Sequence, residues 1–167
     1  FLKMIPANSD LVAAELDLVS QFSRENRLKK VLAPYFQGFD YVLIDCPPSL
    51  GLLTINAPTA SNSVLVPVQC EYYALEGLSE LLKTITLVQE NLNSELKIEG
   101  LLLTMFDPRN NLCRQGADEI AQHFPDKIFK AVIPRNVRIS ESPSHGKPVL
   151  LYDIRSKGAI AYLDFAK

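Results

Sequence analysis

A short apolar run that hands an aspartate to two successive prolines is the most chemically suggestive stretch of this chain: Tyr41-Val42-Leu43-Ile44-Asp45-Cys46-Pro47-Pro48-Ser49-Leu50-Gly51. A carboxylate at the carboxyl end of a buried strand is what a nucleotide site needs to hold hydrated Mg²⁺ beside phosphates, because the sheet fixes the charge and strips part of its water. The bland alternative is an aspartate that merely ends a strand or caps the next turn. Pro47 and Pro48 narrow that choice, since they impose an extended path and delete two N–H donors where the chain leaves the strand. With Gly51 as pivot, Pro47, Pro48, Ser49 and Gly51 read as a rigid switch loop that senses a terminal phosphate.

Three further loops bear on chemistry. Gln69-Cys70-Glu71-Tyr72-Tyr73-Ala74-Leu75-Glu76-Gly77-Leu78 gathers two tyrosines and two carboxylates, which suit a partner or ligand as well as they suit a capped helix start with packed aromatics. Thr104-Met105-Phe106-Asp107-Pro108-Arg109-Asn110-Asn111 ends an apolar run in turn-forming residues, and Arg109 is either a phosphate ligand or an ordinary solvated arginine. In the stretch from Asp126 to Lys147, Lys127, Lys130, Arg135, Arg138 and Lys147 outnumber Asp126 and Glu141. That excess fits a phosphate-backbone footprint and also a solvated rim. His145 has no nucleophile or metal partner that the sequence can pair with it and reads as structural.

The elements that must position these loops follow from pattern. Phe1-Leu2-Lys3-Met4-Ile5 reads as a strand already under way, without an initiator Met, which suggests a fragment. Ser9 is a plausible N-cap for a helix carrying Val12, Leu16 and Val19, and a second helix from Ser23 to Leu32 turns Leu28, Val31 and Leu32 inward. Tyr41 to Ile44, Ser63 to Val68 and Ile98 to Phe106 are apolar without alternation, as strands buried on both faces should be. Helices are expected at about Gly51 to Ala60 and Leu75 to Leu92, the latter with Leu78, Leu81, Leu82, Ile85 and Val88 on one face. Strand alternating with helix predicts a mainly parallel sheet with helices on both faces and ligands at the carboxyl ends of the strands.

Composition sets bounds on function. With 167 residues, 47% hydrophobic and 22% charged, the chain suits one globular domain over residues 1–167 rather than disorder. No apolar run approaches the roughly 20 residues that span a bilayer, so a cytoplasmic protein with no membrane partner is expected. A formal charge of -2 gives no global attraction to nucleic acid, so any such binding needs a local basic face. Cys46, Cys70 and Cys113 are odd in number and widely spaced, which suggests neither a disulfide framework nor a zinc site.

Four stretches in order, Asp45 to Thr54, Val68 to Leu78, Ile133 to Arg138 and Pro143 to Val149, make the whole chain resemble the ParA/Soj family of deviant-Walker partition ATPases. The resemblance implies a P-loop NTPase-like α/β fold of the ParA/MinD type, here its carboxyl-terminal two-thirds, truncated at the amino terminus. It makes Asp45 the Walker B aspartate, acting on Mg²⁺ through water, with Pro47 to Gly51 in switch II. It assigns adenine binding to Thr104, Met105, Pro134, Arg135 and Asn136, and contact with nonspecific DNA to Arg109 and Arg138; Glu71 to Gly77 would lie near a dimer interface. ATP and Mg²⁺ as cofactors, an ATP-bound homodimer, a ParB/Spo0J-type centromere-binding partner and a nucleoid-associated location follow in the same way. The family's G-G-x-G-K-T phosphate loop has no counterpart in these residues: the one Gly-Lys, Gly146-Lys147, is followed by Pro148. The chain alone is therefore expected to be inactive. The alternatives are a MinD-like membrane-positioning ATPase and a non-catalytic DNA-binding or dimerisation module.

Overall fold

The computed structural model describes residues 2–71 and 74–167, so the Tyr72-Tyr73 pair lies outside the described residues. The chain divides into two units, one made of residues 1–63 and 81–97 and the other of residues 64–80 and 98–167.

In the first unit, α1 (Asp10–Val19), α2 (Arg27–Leu32) and α3 (Leu52–Ala60) pack together, with 3₁₀ turns at Arg24–Asn26 and Ala33–Tyr35 flanking α2. Asn56 on α3 organises them. Its Oδ1 accepts from Leu28 N at 3.0 Å while its Nδ2 donates to Arg24 O at 2.9 Å and Leu52 O at 2.8 Å, so one buried amide serves three backbone groups. Asn93 acts similarly, donating to Pro58 O and Ser61 O at the end of α3. Because a buried unmade hydrogen bond costs about 1–3 kcal/mol, these two amides fix the helix positions more firmly than the sparse apolar contacts do.

Several expectations fail in this unit. Ser9 occupies the N-cap position without capping, and the side chain of Asn8 accepts from Asp10 N instead. No residue of α1 is buried; Val12, Leu16, Val19 and, on α2, Val31 are exposed, because an apolar stripe states only that a face is available for packing. Residues 2–8 and 41–47 form no regular secondary structure. A strand is defined by its partner, and among the described residues neither segment is laddered to a neighbouring strand.

The second unit holds the sheet. Strand β1 (Ser63–Gln69) feeds α4 (Ala74–Asn91), which returns the chain to β2 (Lys97–Thr104) alongside β1, a parallel pair made by a helical crossover. Two isolated parallel bridges, Leu101 to Ile128 and Phe106 to Pro134, extend the sheet beyond β2. Gly100 to Leu103 is buried on both faces as expected, whereas β1 alternates, with Val66 and Val68 inside and Leu65 half-exposed. Gly100 is required for space: a Cβ there would lie 2.6 Å from the Phe129 ring and 2.9 Å from Lys127 O. Leu78, Ile85 and Val88 are buried along the predicted face of α4. After β2 come α5 (Asn111–His123), α6 (Val137–Glu141), α7 (Val149–Tyr152) and α8 (Lys157–Phe165). Helix α8 sits close against α6, since a Cβ on Gly158 would strike Ile139.

Candidate functional site

At the carboxyl end of β2 the backbone turns sharply. Met105 adopts φ 54°, a left-handed conformation uncommon for a side chain with a Cβ. That turn redirects Phe106 onto the segment after Ile133: Ile133 N donates to Leu103 O at 2.9 Å, Phe106 N to Ile133 O at 3.1 Å, and Arg135 N to Phe106 O at 2.9 Å. The structure thus lays Thr104-Met105 beside Pro134-Arg135-Asn136, 30 residues apart in sequence. Thr104 is anchored further by Oγ1 donating to Val68 O at 3.3 Å. Backbone strain held in place by a ladder on one side is a common feature of ligand sites, because it presents backbone and side chains in a fixed pose.

Two asparagines start the helices that leave this edge. Asn110 Oδ1 accepts from Leu112 N and caps α5, and Asn136 Oδ1 accepts from Arg138 N and caps α6, both at 3.0 Å. Asn136, read from sequence as a base ligand, therefore also has a structural duty. Arg135 is exposed and reaches Glu71 Oε1 at 3.7 Å.

Both basic candidates are held by carboxylates. Asp107 receives the Arg109 guanidinium as a fork, from Nε at 3.0 Å and from a terminal nitrogen at 2.9 Å, and accepts from Arg109 N as well. These hydrogen bonds, followed by the charges of Arg109 and Arg135, hold the Asp107 carboxyl at about 2, far below its ordinary value. Arg138 donates to Glu141 Oε2 at 2.8 Å and lies 3.5 Å from Asp153 Oδ2. Glu141 is legible in sequence as the residue three positions on; Asp153 has no sequence signal, because the fold alone brings it there.

Beneath this edge lie two thiols. Cys70 follows β1, and a Cβ added to Gly116 of α5 would lie 3.6 Å from its backbone; Cys113, one turn earlier on that helix, accepts from Asp107 N at 3.4 Å. Burial first, then the neighbouring Cys113, pushes the Cys70 thiol up to about 12. Both are free and buried, as core thiols should be, whereas Cys46 is exposed.

Asp45 belongs to the first unit. The expected buried strand does not deliver it: the segment is irregular and Asp45 is exposed. The loop after it is tethered at one point, where Thr54 Oγ1 donates to Ser49 O. Gly51 is the N-cap residue of α3 in an ordinary extended conformation, and a Cβ there would meet the Glu15 side chain. No group of three His, Cys, Asp or Glu suited to a metal is found among the described residues. Gly146 and Lys147 are excluded as a phosphate cradle, since Gly146 N donates to Pro143 O and Lys147 N to Ser142 O, closing a turn with the very N–H groups an anion would need. The residues expected from sequence to bind the base thus lie along one edge of the second unit, and Gly146 and Lys147 form no phosphate cradle.

The parallel sheet with its helices has the P-loop NTPase fold in its ParA/MinD form, as its structural neighbours show. The model of the family described as "AAA domain" matches residues 1–98. The sporulation initiation inhibitor protein Soj of Bacillus subtilis is 63% identical over 99% of this chain and 66% of its own length. The chromosome partitioning protein ParA of Myxococcus xanthus is 56% identical over 98% of this chain and 58% of its own. Among solved structures, cobyrinic acid a,c-diamide synthase from Mycobacterium smegmatis with bound ATP analogue and magnesium superposes with a TM-score of 0.79 at 40% identity, covering 96% of this chain and 59% of that one. The cell division ATPase MinD of Pyrococcus furiosus gives 0.66 at 26% identity, over 85% and 56%. The chain belongs to the AAA-domain family and, within it, to the ParA/Soj group. It spans about two-thirds or less of the length of the curated relatives it matches.

Proposed function

We propose that the intact protein is a chromosome or plasmid partition ATPase that dimerises with ATP, binds DNA without sequence preference as a dimer, and is turned over by a ParB-type centromere-binding partner. The observation that carries the reading is the Phe106 to Pro134 bridge, which brings the end of the strand carrying Thr104-Met105 beside Pro134-Arg135-Asn136, in a chain whose relatives at 63% and 56% identity are named for sporulation control and chromosome partitioning. Partition outranks amide synthesis because the synthase-named structure stands at 40% identity. It outranks membrane positioning because the MinD structure stands at 26%.

In this reading Asp45 would hold Mg²⁺ through water, and the ion would supply charge neutralisation for the phosphates. This chain's own residues do the rest of what is assigned here. Met105 and Pro134 enclose the base edge, Asn136 holds the start of α6 so that Arg138 is presented outward, and Pro47 and Pro48 keep the switch loop extended so that Gly51 and Ser49 move with it. Arg109 and Arg138 meet the phosphate backbone. The phosphate-gripping groups are not among these residues, so the 167-residue chain by itself hydrolyses no ATP.

The test is salt-dependent binding of the intact protein to random-sequence duplex with ATP and Mg²⁺. Changing Arg109 and Arg138 together to Ala is expected to weaken binding and lower the slope of log affinity against log salt by about 2, since each phosphate contact contributes roughly 0.9. An unaltered slope would refute the DNA assignment.

A further inference from the structure

The two arginines assigned to DNA are the two most fully engaged cations of the second unit, and their partners are built to hold them. Around Arg138, Glu141 lies one turn on along α6, and Asp153 follows α7. Neither carboxylate is loose. Glu141 Oε2 also accepts from Tyr152 OH at 3.3 Å, and the Tyr152 ring stacks on His145 with centroids 4.9 Å apart. Asp153 Oδ1 accepts from Arg155 N at 3.2 Å, which leaves Oδ2 for Arg138. Around Arg109, Asp107 offers both oxygens to the guanidinium fork. A guanidinium edge held by carboxylate oxygens cannot fork onto a phosphodiester with the same N–H groups, so along that edge the two contacts compete.

Resting on the DNA reading above, we propose that Glu141 and Asp153 form a carboxylate clasp that occupies Arg138 in place of a DNA phosphate, with Asp107 doing the same to Arg109, so that these acids set the threshold for DNA capture. Backbone phosphates must displace the clasp, and the intact protein releases DNA readily because the arginines have an internal partner to return to. The acids act through the arginines rather than as general repulsive charge.

A mutant cycle tests this, using the intact protein with ATP and Mg²⁺ on random-sequence duplex at fixed salt. E141Q combined with D153N keeps side-chain shape and is expected to tighten binding about two- to fivefold, the range over which exposed ion pairs compete. The same pair of changes placed on R138A is expected to alter binding by less than its error. D107N gives an independent second case, with R109A as its background, should the Glu141 and Asp153 variants misfold by circular dichroism. The clasp is overturned if the gain persists undiminished on R138A, which would make the acids simple repulsive charges. It is overturned equally if R138A weakens binding while E141Q/D153N leaves it unchanged. Should R138A itself have no effect, the DNA reading at this residue falls first and the clasp with it.

Discussion

Leu43 and Leu101 sit in short apolar runs of similar composition, each handing over to a polar loop at its carboxyl end, yet Leu43 is 93% exposed and Leu101 is 1% exposed. The difference lies in what the backbone meets. Leu101 donates to Lys127 O at 2.7 Å and accepts from Phe129 N at 3.0 Å, and its neighbours pair with β1 on the other side. Residues 41–47 meet no ladder among the described residues. Hydropathy specifies that a segment is suited to burial between two layers; hydrogen-bond partners decide whether it becomes a strand. Chemistry divides along the same line. The loop after β2 is held by backbone bonds, caps and ion pairs, whereas Asp45 rests on an irregular segment.

The contrast is sharpest under truncation. In the 167-residue chain, Leu101→Ala should cost about 2–5 kcal/mol of unfolding free energy by urea titration, while Leu43→Ala should stay within about 0.5 kcal/mol. Equal losses would erase the distinction between the two runs. Gly100→Ala comes next, at about 1–3 kcal/mol, because the new methyl meets both the Phe129 ring and the Lys127 carbonyl. Thiol accessibility follows: a disulfide reagent at pH 8 should label Cys46 quickly and Cys70 and Cys113 only on unfolding, with three fast thiols counting against the packing of α5 on β1. The smallest effect is electrostatic. Since the folded Asp107 carboxyl titrates at about 2, below its unfolded value of about 3.9, its contribution is present above the unfolded value and lost as pH falls through 2. A carboxyl NMR titration of Asp107 should therefore show a midpoint near 2, and D107N should abolish that part of the acid response.

What could be read from sequence followed the reach of each interaction. α4 is visible in the spacing of Leu78, Ile85 and Val88, and β2 in its Leu101 to Leu103 run, because both patterns are local. Burial of both faces was wrongly extended to β1, whose Leu65 stays half-exposed. α1 and α2 follow their periodicity as helices, but Val12, Leu16, Val19 and Val31 stay exposed, since amphipathicity does not name a partner. At the candidate site, Glu141 beside Arg138 and Asp107 beside Arg109 are within one turn of their partners, and so were open to inspection. Asp153 beside Arg138, the pairing of Phe106 with Pro134, and the approach of Cys70 to α5 each join residues far apart in the chain, and only the fold supplies them. The left-handed Met105 had no signal at all, because nothing in the residue type favours that conformation.

The proposed function turns on Thr104, Met105, Pro134, Arg135 and Asn136 binding the adenine together. Amide hydrogen exchange of the intact protein, with and without a nonhydrolysable ATP analogue and Mg²⁺, measures it directly. The account predicts added protection at Phe106, Arg135 and Arg138 with the adenine nucleotide and less with its guanine counterpart. Nucleotide binding that protects other segments while leaving both of these stretches unchanged would contradict it.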